Sequence, residues 1–572
     1  MAARPEAGPE ARPRRKRGAG TYLLLALVSL ILLVACFYAV RTLSLFVSPM
    51  LFLAAVFFEV TSVTLLVFWL LRAMAAPSEV IRSLSASAWA GLGSNPYIVR
   101  VRESDSRLVS WTRDRLRRDR ASGLWLTATV VVALIPFVNF LGLCWTVATH
   151  GSLTQVDERI ANLMPMVRTP GETEFFSTIT ALANFQTVLV LTVLAVALLW
   201  WRRQRFCAVF FVAAVAGQEL LAAIAKGLIG RPRPALSLAL LDEGSFSFPS
   251  GHVLRAAVVF GVVAYLLFRV YRTTAAKALT AIAYLLVVLL VAMSRVYLGV
   301  HYLTDVWGSM LLGSSFVVVL VGVLEIAARY PVIRGRRRRS TPGRRLLAAP
   351  AGAVVFAVVA APLLIHPQSH PVQQHTQSLA ALDASSLARL PIYSETLTGD
   401  RMEPVSFVFV GSEDQLVRTF ESHGWDRADP STFANTLRAF AVGFQGGQYP
   451  TAPVTPSFLA SQPEAIAFQK ATAAQSLRQR HHTRIWRTGY TAPDGRPIWE
   501  ATASFDDGIE FAGTAKLPTH HIDPNIDAER TYIIGSLGYP DRFLALTGPQ
   551  MGHNASGDEF FTDGRSELVI LQ

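Results

Sequence analysis

Residues 206–234 read FCAVFFVAAVAGQELLAAIAKGLIGRPRP, an apolar run interrupted by one carboxylate, Glu219, and closed by Lys226, Arg231 and Arg233. Such a run, rising about 1.5 Å per residue as a helix, is long enough to cross about 30 Å of hydrocarbon. Composition agrees. Of 572 residues, 52% are hydrophobic and 16% charged, against about 25% charge in soluble domains, which excludes a single soluble domain. Further segments of this kind are expected at about 22–40, 46–71, 124–148, 186–201, 253–271, 278–293, 303–328 and 346–365, making nine spans with 206–229.

The net charge of +13 could suggest nucleic acid, but the basic residues lie mostly between apolar segments and no nucleic-acid partner is expected. They set topology instead. Arg14, Arg15, Lys16 and Arg17, then Arg113 to Arg120, then Arg202, Arg203 and Arg205, then Arg336 to Arg339 make every second loop basic. Basic loops stay cytoplasmic, so the N-terminus is expected inside and the chain after His366 outside. The first segment lacks a small-residue cleavage site and reads as a retained anchor. Only five of the basic residues are Lys, a bias expected of a GC-rich bacterial genome, which points to a bacterial inner membrane.

Beyond Pro367 the composition is that of a soluble α+β domain. Val405, Phe407 and Phe409 alternate as in a strand, and Asp494-Gly495 reads as a hairpin turn between Ile485–Tyr490 and Ile498–Phe505. Cys36, Cys144 and Cys207 all sit in apolar segments, so the tail has no disulfide framework.

Four cations break the charge rule. Lys226, Arg231, Arg233 and Arg295 stand at the outer ends of spans, where topology gives no reason to gather them. An ion pair of Lys226 with Glu219 would be a structural explanation; an anionic ligand is the functional one. Their spacing is specific: Lys226-Gly-Leu-Ile-Gly-Arg-Pro-Arg233-Pro234, then Pro249-Ser250-Gly251-His252, then Ser294-Arg295, five residues, His301, three residues, Asp305. His301 and Asp305, four apart, share a helix face, so the carboxylate can hold the proton on one imidazole nitrogen and leave the other as a nucleophile. Ser250 and Gly251 precede a helix beginning near His252, whose free N–H groups suit a phosphate. Arg233 and Arg295 can grip phosphate oxygens, and Lys226 adds a point charge.

These three blocks resemble the signature of the type 2 phosphatidic acid phosphatase superfamily, which includes bacterial undecaprenyl-diphosphate and phosphatidylglycerophosphate phosphatases and vanadium haloperoxidases. The resemblance implies a catalytic set of His301, His252 and Asp305 and a phosphate-binding set of Lys226, Arg233, Ser250, Gly251 and Arg295, with no metal and no cofactor. His301 would form a phosphohistidine while His252 protonates the departing oxygen and later activates water. The tail from Leu390 through Tyr532 resembles the LssY carboxy-terminal family, on the stretch His520-His521-Ile-Asp-Pro-Asn-Ile-Asp527-Ala-Glu529-Arg530 and the region of Trp486. That family brings no established chemistry.

The expected fold is therefore an all-α polytopic membrane protein, a six-helix phosphatase core plus three additional transmembrane helices, with a C-terminal soluble α+β domain. Residues 1–20 form a basic cytoplasmic tail, 21–122 two transmembrane helices and a cytoplasmic loop, 123–328 the catalytic domain, 329–366 a basic loop and ninth helix, and 367–572 the extracytoplasmic domain. The expected partners are a lipid phosphate or diphosphate substrate and membrane lipids. A phosphotransferase would use the same residues. A binding or transport protein would need the cations but not the His301–Asp305 pair, and a haloperoxidase would be soluble. Outside the signature, His150 reads as structural, Glu59 as a helix–helix contact, and the pairs His481-His482 and His520-His521, with Asp523 and Asp527, lack a closed metal-ligand spacing. The tail is expected to add no catalytic group.

Overall fold

Apolar runs in lipid fold as helices because every backbone N–H and C=O must find its partner within the segment. The computed structural model describes residues 19–42, isolated positions between 58 and 99, and, with short breaks, 106–329 and 376–572. The chain divides into two units, Met1–Arg41 with Ala54–Leu124, and Thr42–Leu53 with Trp125–Gln572. The first unit contains α1 (Ala19–Thr42, but for its last residue) and α2 (Arg107–Leu116), whose N-cap Ser106 accepts from Val109 N–H. The second carries α3 (Leu124–Ala148, but for its first residue), α4 (Ser152–Leu163), α5 (Pro170–Ala181), α6 (Phe185–Trp201), α7 (Arg205–Ile229), α8 (Gly251–Val270), α9 (Thr274–Tyr297) and α10 (Leu303–Arg329), followed by the tail domain.

Among the described residues, α3, α7, α8, α9 and α10 are long and apolar enough to cross a membrane, and α5 with α6, bent by 43° at their junction, make a sixth span if taken as one. This refines the expected spans. The segment 186–201 is one arm of a bent pair, and 278–293 extends to a 24-residue helix. The expected spans 46–71 and 346–365 and the basic run Arg336–Arg339 lie outside the described residues, apart from helical positions between 58 and 66. The bend between α5 and α6 matters below, because Asn184, the N-cap residue of α6, makes no capping bond with its side chain.

α8 is the central helix, with Val253, Leu254, Ala256, Ala257 and Val258 all buried. It packs on α10 through small residues, which let helix backbones approach when lipid offers no hydrophobic drive. A Cβ on Gly313 would stand 2.7 Å from the Ala257 Cβ. Outside the site, Tyr265 and Arg269 both donate to Glu325.

The tail is α+β, its core formed by Phe407, Phe409, Phe420, Trp425, Phe468 and Trp499. Its main strands are β1 (Arg401–Val410), β2 (Ile466–Ala471), β3 (Arg480–Thr491), β4 (Pro497–Thr502), β5 (Ser504–Ala512), β6 (Leu517–Ile522) and β7 (Arg565–Ile570). They run β6-β5-β3-β4-β1-β7, with β7 parallel to β1 and β2 antiparallel to β3. The β3–β4 hairpin turns at Asp494-Gly495, where Gly495 takes φ +84°, a left-handed value that favours glycine. The expected second strand is split, β4 ending at Thr502 and β5 starting at Ser504.

The α8–α10 contact yields a test. Gly313→Ala should destabilise the detergent-purified protein by about 1–3 kcal/mol through overpacking. Gly142→Ala, in α3 with nothing within 4 Å of the added Cβ, should leave the thermal unfolding midpoint unchanged or raised, because alanine favours helix. Equal midpoints for the two variants would contradict the packing described.

Candidate active site

Three helix ends build the site. α7 stops at Gly230, whose φ of +62° is a left-handed C-cap and whose N–H returns to Lys226 O. This leaves Lys226 in the last turn, with Nζ donating to Ser245 Oγ at 3.0 Å. Arg233 follows in the extended segment. Its Nε donates to Ser245 O at 2.6 Å, its Nη1 to Val300 O at 2.7 Å, and its Nη2 to Glu243 Oε2 at 2.8 Å.

α8 begins where the Pro249-Ser250-Gly251-His252 block predicts, with Ser250 as N-cap. Its N–H donates to Asp305 O at 3.3 Å. The Ser250 hydroxyl makes no capping bond and is buried without a hydrogen-bond partner in the protein. Such an orphan is costly unless something else fills its valence. His252 donates from Nε2 to Asn184 Oδ1 at 2.7 Å, which explains why Asn184 does not cap α6. The other ring nitrogen, Nδ1, faces Glu243 Oε1 at 3.9 Å.

The third end corrects the sequence expectation in part. His301 and Asp305 do not share a helix: α10 begins at Leu303 and His301 sits in the preceding turn. They meet because Asp305, in the first turn of α10, reaches back as in half a capping box, accepting the Tyr302 N–H at 2.9 Å. The same oxygen, Oδ2, accepts from His301 Nδ1 at 3.3 Å and from Ser247 Oγ. With Nδ1 protonated against Asp305, Nε2 keeps its lone pair and takes an N–H from Arg233 Nη1 at 3.3 Å. Burial, in part offset by Asp305, pushes the imidazole down to about 4, so the ring is neutral at neutral pH.

One residue that sequence reasoning missed occupies the middle. Glu243, in the 230–250 segment, accepts from Arg233 and from the fully buried Arg295, whose Nη1 donates to Thr180 Oγ1 at 2.8 Å. Burial works against its charge, but Arg295, His252 and Arg233 outweigh that and hold the carboxyl well below the usual range. An ionised carboxylate gripped by two guanidinium groups is a small anion in an anion cradle. The only signal for it was that Asp242 and Glu243 are the sole acidic residues between Lys226 and His252. A cavity of about 770 Å³ opens beside it, lined by Lys226, Arg233, Glu243, Ser245, Phe246 and Val300.

Seven of the eight residues singled out by the spacing thus enter one chain of contacts, and Gly251 lies between Ser250 and His252 as the first residue of α8. Glu219 does not pair with Lys226; it accepts from Arg255 Nε at 2.5 Å, one turn after His252. Arg231 turns away from the cradle to Asp305 and Asp157. His150 is exposed in the turn after α3, and Glu59 belongs to the other unit. In the tail, His481 pairs with Glu529 at 2.8 Å, His482 with Asp506 at 3.0 Å and His521 with Asp507. No group of three His, Cys, Asp or Glu among the described residues is placed to hold a metal ion.

Chemically, the set provides a neutral imidazole with a free lone pair, a second imidazole beside the same cradle, and cations that can bind a tetrahedral dianion and follow its charge into a transition state. Comparison with known proteins identifies the family. The profile of the PAP2 superfamily matches residues 207–327, and that of the LssY C-terminus matches residues 387–565. Phosphatidylglycerophosphatase B of Bacillus subtilis (strain 168) is 34% identical over 196 residues, covering 34% of this chain and 95% of that protein. The crystal structure of a transmembrane PAP2-type phosphatidylglycerolphosphate phosphatase from Bacillus subtilis aligns at 30% identity over 36% of this chain and 99% of that one, with a TM-score of 0.32. A relative matched over nearly its whole length at that identity carries its family with it: the chain belongs to the PAP2 superfamily of membrane phosphatases and is a phosphoric ester hydrolase.

Proposed function

We propose that the protein hydrolyses a phosphate monoester or diphosphate of a membrane lipid, at the outer face of a bacterial inner membrane, through a phosphohistidine on His301. The observation that carries this reading is the placement of His301 Nε2 beside Arg233, the same guanidinium that holds the Glu243 carboxylate. A phosphoryl group replacing that carboxylate would lie between Arg233 and Arg295, next to the nitrogen that attacks it.

The His301 Nε2 lone pair forms the N–P bond as the bond from phosphorus to the lipid oxygen breaks. Nδ1–H stays on Asp305, which stabilises the imidazolium character that develops. His252, entering the cycle as the imidazolium with Nε2–H held by Asn184, delivers the proton on Nδ1 to the leaving oxygen and becomes neutral. Water then attacks phosphorus and gives a proton back to Nδ1 of His252, the N–P bond breaks and phosphate leaves. Lys226, Arg233, Arg295, the Ser250 hydroxyl and the N–H groups at Gly251 take the charge on the equatorial oxygens. The Bacillus subtilis relative is named for phosphatidylglycerophosphate, so a glycerol phosphomonoester is the first substrate to assay.

His301→Ala should lower the hydrolytic rate by about 10³-fold or more and His252→Ala by about 10²-fold, with activity unchanged in EDTA. Activity lost in EDTA and restored by a divalent ion would refute the scheme, and radiolabelled phosphate trapped on His252 would exchange the two roles.

Glu243 competes with phosphate for Arg233 and Arg295. Glu243→Gln, which withdraws that charge, should tighten inhibition by orthovanadate about tenfold, since an ionic hydrogen bond is worth about 1.5–3 kcal/mol. Unchanged or weaker inhibition would show that the carboxylate does not stand in for the ligand.

For orientation, cysteines introduced near Glu243 should react with an impermeant maleimide in spheroplasts, whereas cysteines beside Arg338 should not. The reverse labelling would move the site to the cytoplasmic face.

A further inference from the structure

Asp157 takes no part in the scheme above, yet it is 1% exposed and fully engaged. It sits on α4, a short helix that the spacing of apolar residues did not mark as a span. Oδ2 accepts from Arg231 Nη2 at 2.8 Å and from the Thr304 hydroxyl, and Oδ1 accepts the Thr304 N–H at 3.0 Å. Arg231 spends its other arm on Asp305, with Nη1 2.8 Å from Oδ1, and lies over the Tyr302 ring at 4.0 Å. The two oxygens of Asp305 are therefore divided: Oδ1 belongs to Arg231, and Oδ2 to His301, Ser247 and Tyr302 N–H. Arg231 thereby sets the rotation of the carboxylate that orients the nucleophile.

The opposite face of α4 is held by the tail. At about 100° per residue, Arg159 and Asn162 lie on the far side of the helix from Asp157 and within about 60° of each other. Arg159 donates to Glu395 Oε2 at 2.6 Å, and Asn162 Nδ2 donates to Ser461 O at 2.8 Å. The fit is close: a Cβ on Gly399, at φ +90°, would stand 3.0 Å from the Arg159 guanidinium. α4 is thus clamped between the tail domain and the residues behind the nucleophile.

We propose that Asp157 is a positioning residue that holds Arg231, and through it Asp305, in register with His301, and that the tail domain, seated on the other face of α4, holds Asp157 in place. This rests on the hydrolytic reading of His301, but it concerns residues outside the phosphatase signature. It gives the tail a role without giving it a catalytic group. Two-state coupling through such a chain of contacts must be shown by non-additivity, not by proximity.

The test uses the full chain in detergent, with a short-chain phosphatidylglycerophosphate as substrate. Asp157→Asn should lower kcat about tenfold with KM nearly unchanged, and Asp157→Glu should recover part of the loss. Arg159→Met or Glu395→Gln should lower kcat about threefold, and neither should add to the loss already present in Asp157→Asn. The tautomer of His301 provides a readout that a merely structural role would not move: nitrogen-15 NMR of histidine-labelled protein, with the signal assigned by its absence in His301→Ala, should show Nδ1–H in the wild type and a mixture with Nε2–H in Asp157→Asn. Losses that multiply across the double variants, or an unchanged tautomer in Asp157→Asn, would overturn the proposal. If the wild type cleaved no phosphate ester, the hydrolytic reading would fail while the tautomer still decided whether Asp157 orients His301.

Discussion

Charge neutrality in an apolar setting governs this molecule. Lys226, Arg231, Arg233 and Arg295 are gathered at helix ends in a structure otherwise built from apolar spans, and unpaired buried charge is severely destabilising. Three carboxylates answer the arginines, while Lys226 donates to Ser245 Oγ and the Phe246 carbonyl. Asp157 and Asp305, 1% and 0% exposed, are tied into backbone and hydroxyl groups. Glu243 is different, since it stands on a connecting segment at the edge of the cavity and binds only through its side chain to other side chains. Two carboxylates are thus part of the scaffold, and one is in a position to be exchanged for a ligand of like charge.

That exchange explains why the cations occupy the ends of helices and not their middles. A helix end brings a side chain to the limit of the apolar layer, and an N-terminus adds unpaired N–H groups. α8 presents such an N-terminus at Ser250, whose hydroxyl has no protein partner. The bend between α5 and α6 serves the same place, for it frees Asn184 from capping and gives it to His252. Elements that look irregular in a membrane protein are found here around the two histidines, where protein groups and not lipid satisfy the polar atoms.

The tail fits this picture as a clamp. Its own core is self-contained, and His481 and His482 are each taken by a separate carboxylate. What it contributes to the core is contact with α4, on the face turned away from Asp157.

Much of this was legible in the sequence for identifiable reasons. Apolar length announces a membrane helix because the bilayer has a fixed thickness, and the β3–β4 hairpin was marked by Asp494-Gly495 because left-handed backbone favours glycine. Lys226, Arg233, His252, Arg295 and His301 stood out because cations and imidazoles are conspicuous among apolar residues. The sequence could not reveal Glu243, Asn184 or Asp157, since an isolated carboxylate or amide in a connecting segment or a short helix carries no period or spacing, and its partner is settled only when distant helices meet. The same reason decided against the alternative offered for Lys226, since Glu219, two turns away along one helix, pairs with Arg255 on the next, and it explains the correction at His301, which reaches Asp305 across a turn, by a capping contact, when spacing alone had suggested a shared helical face.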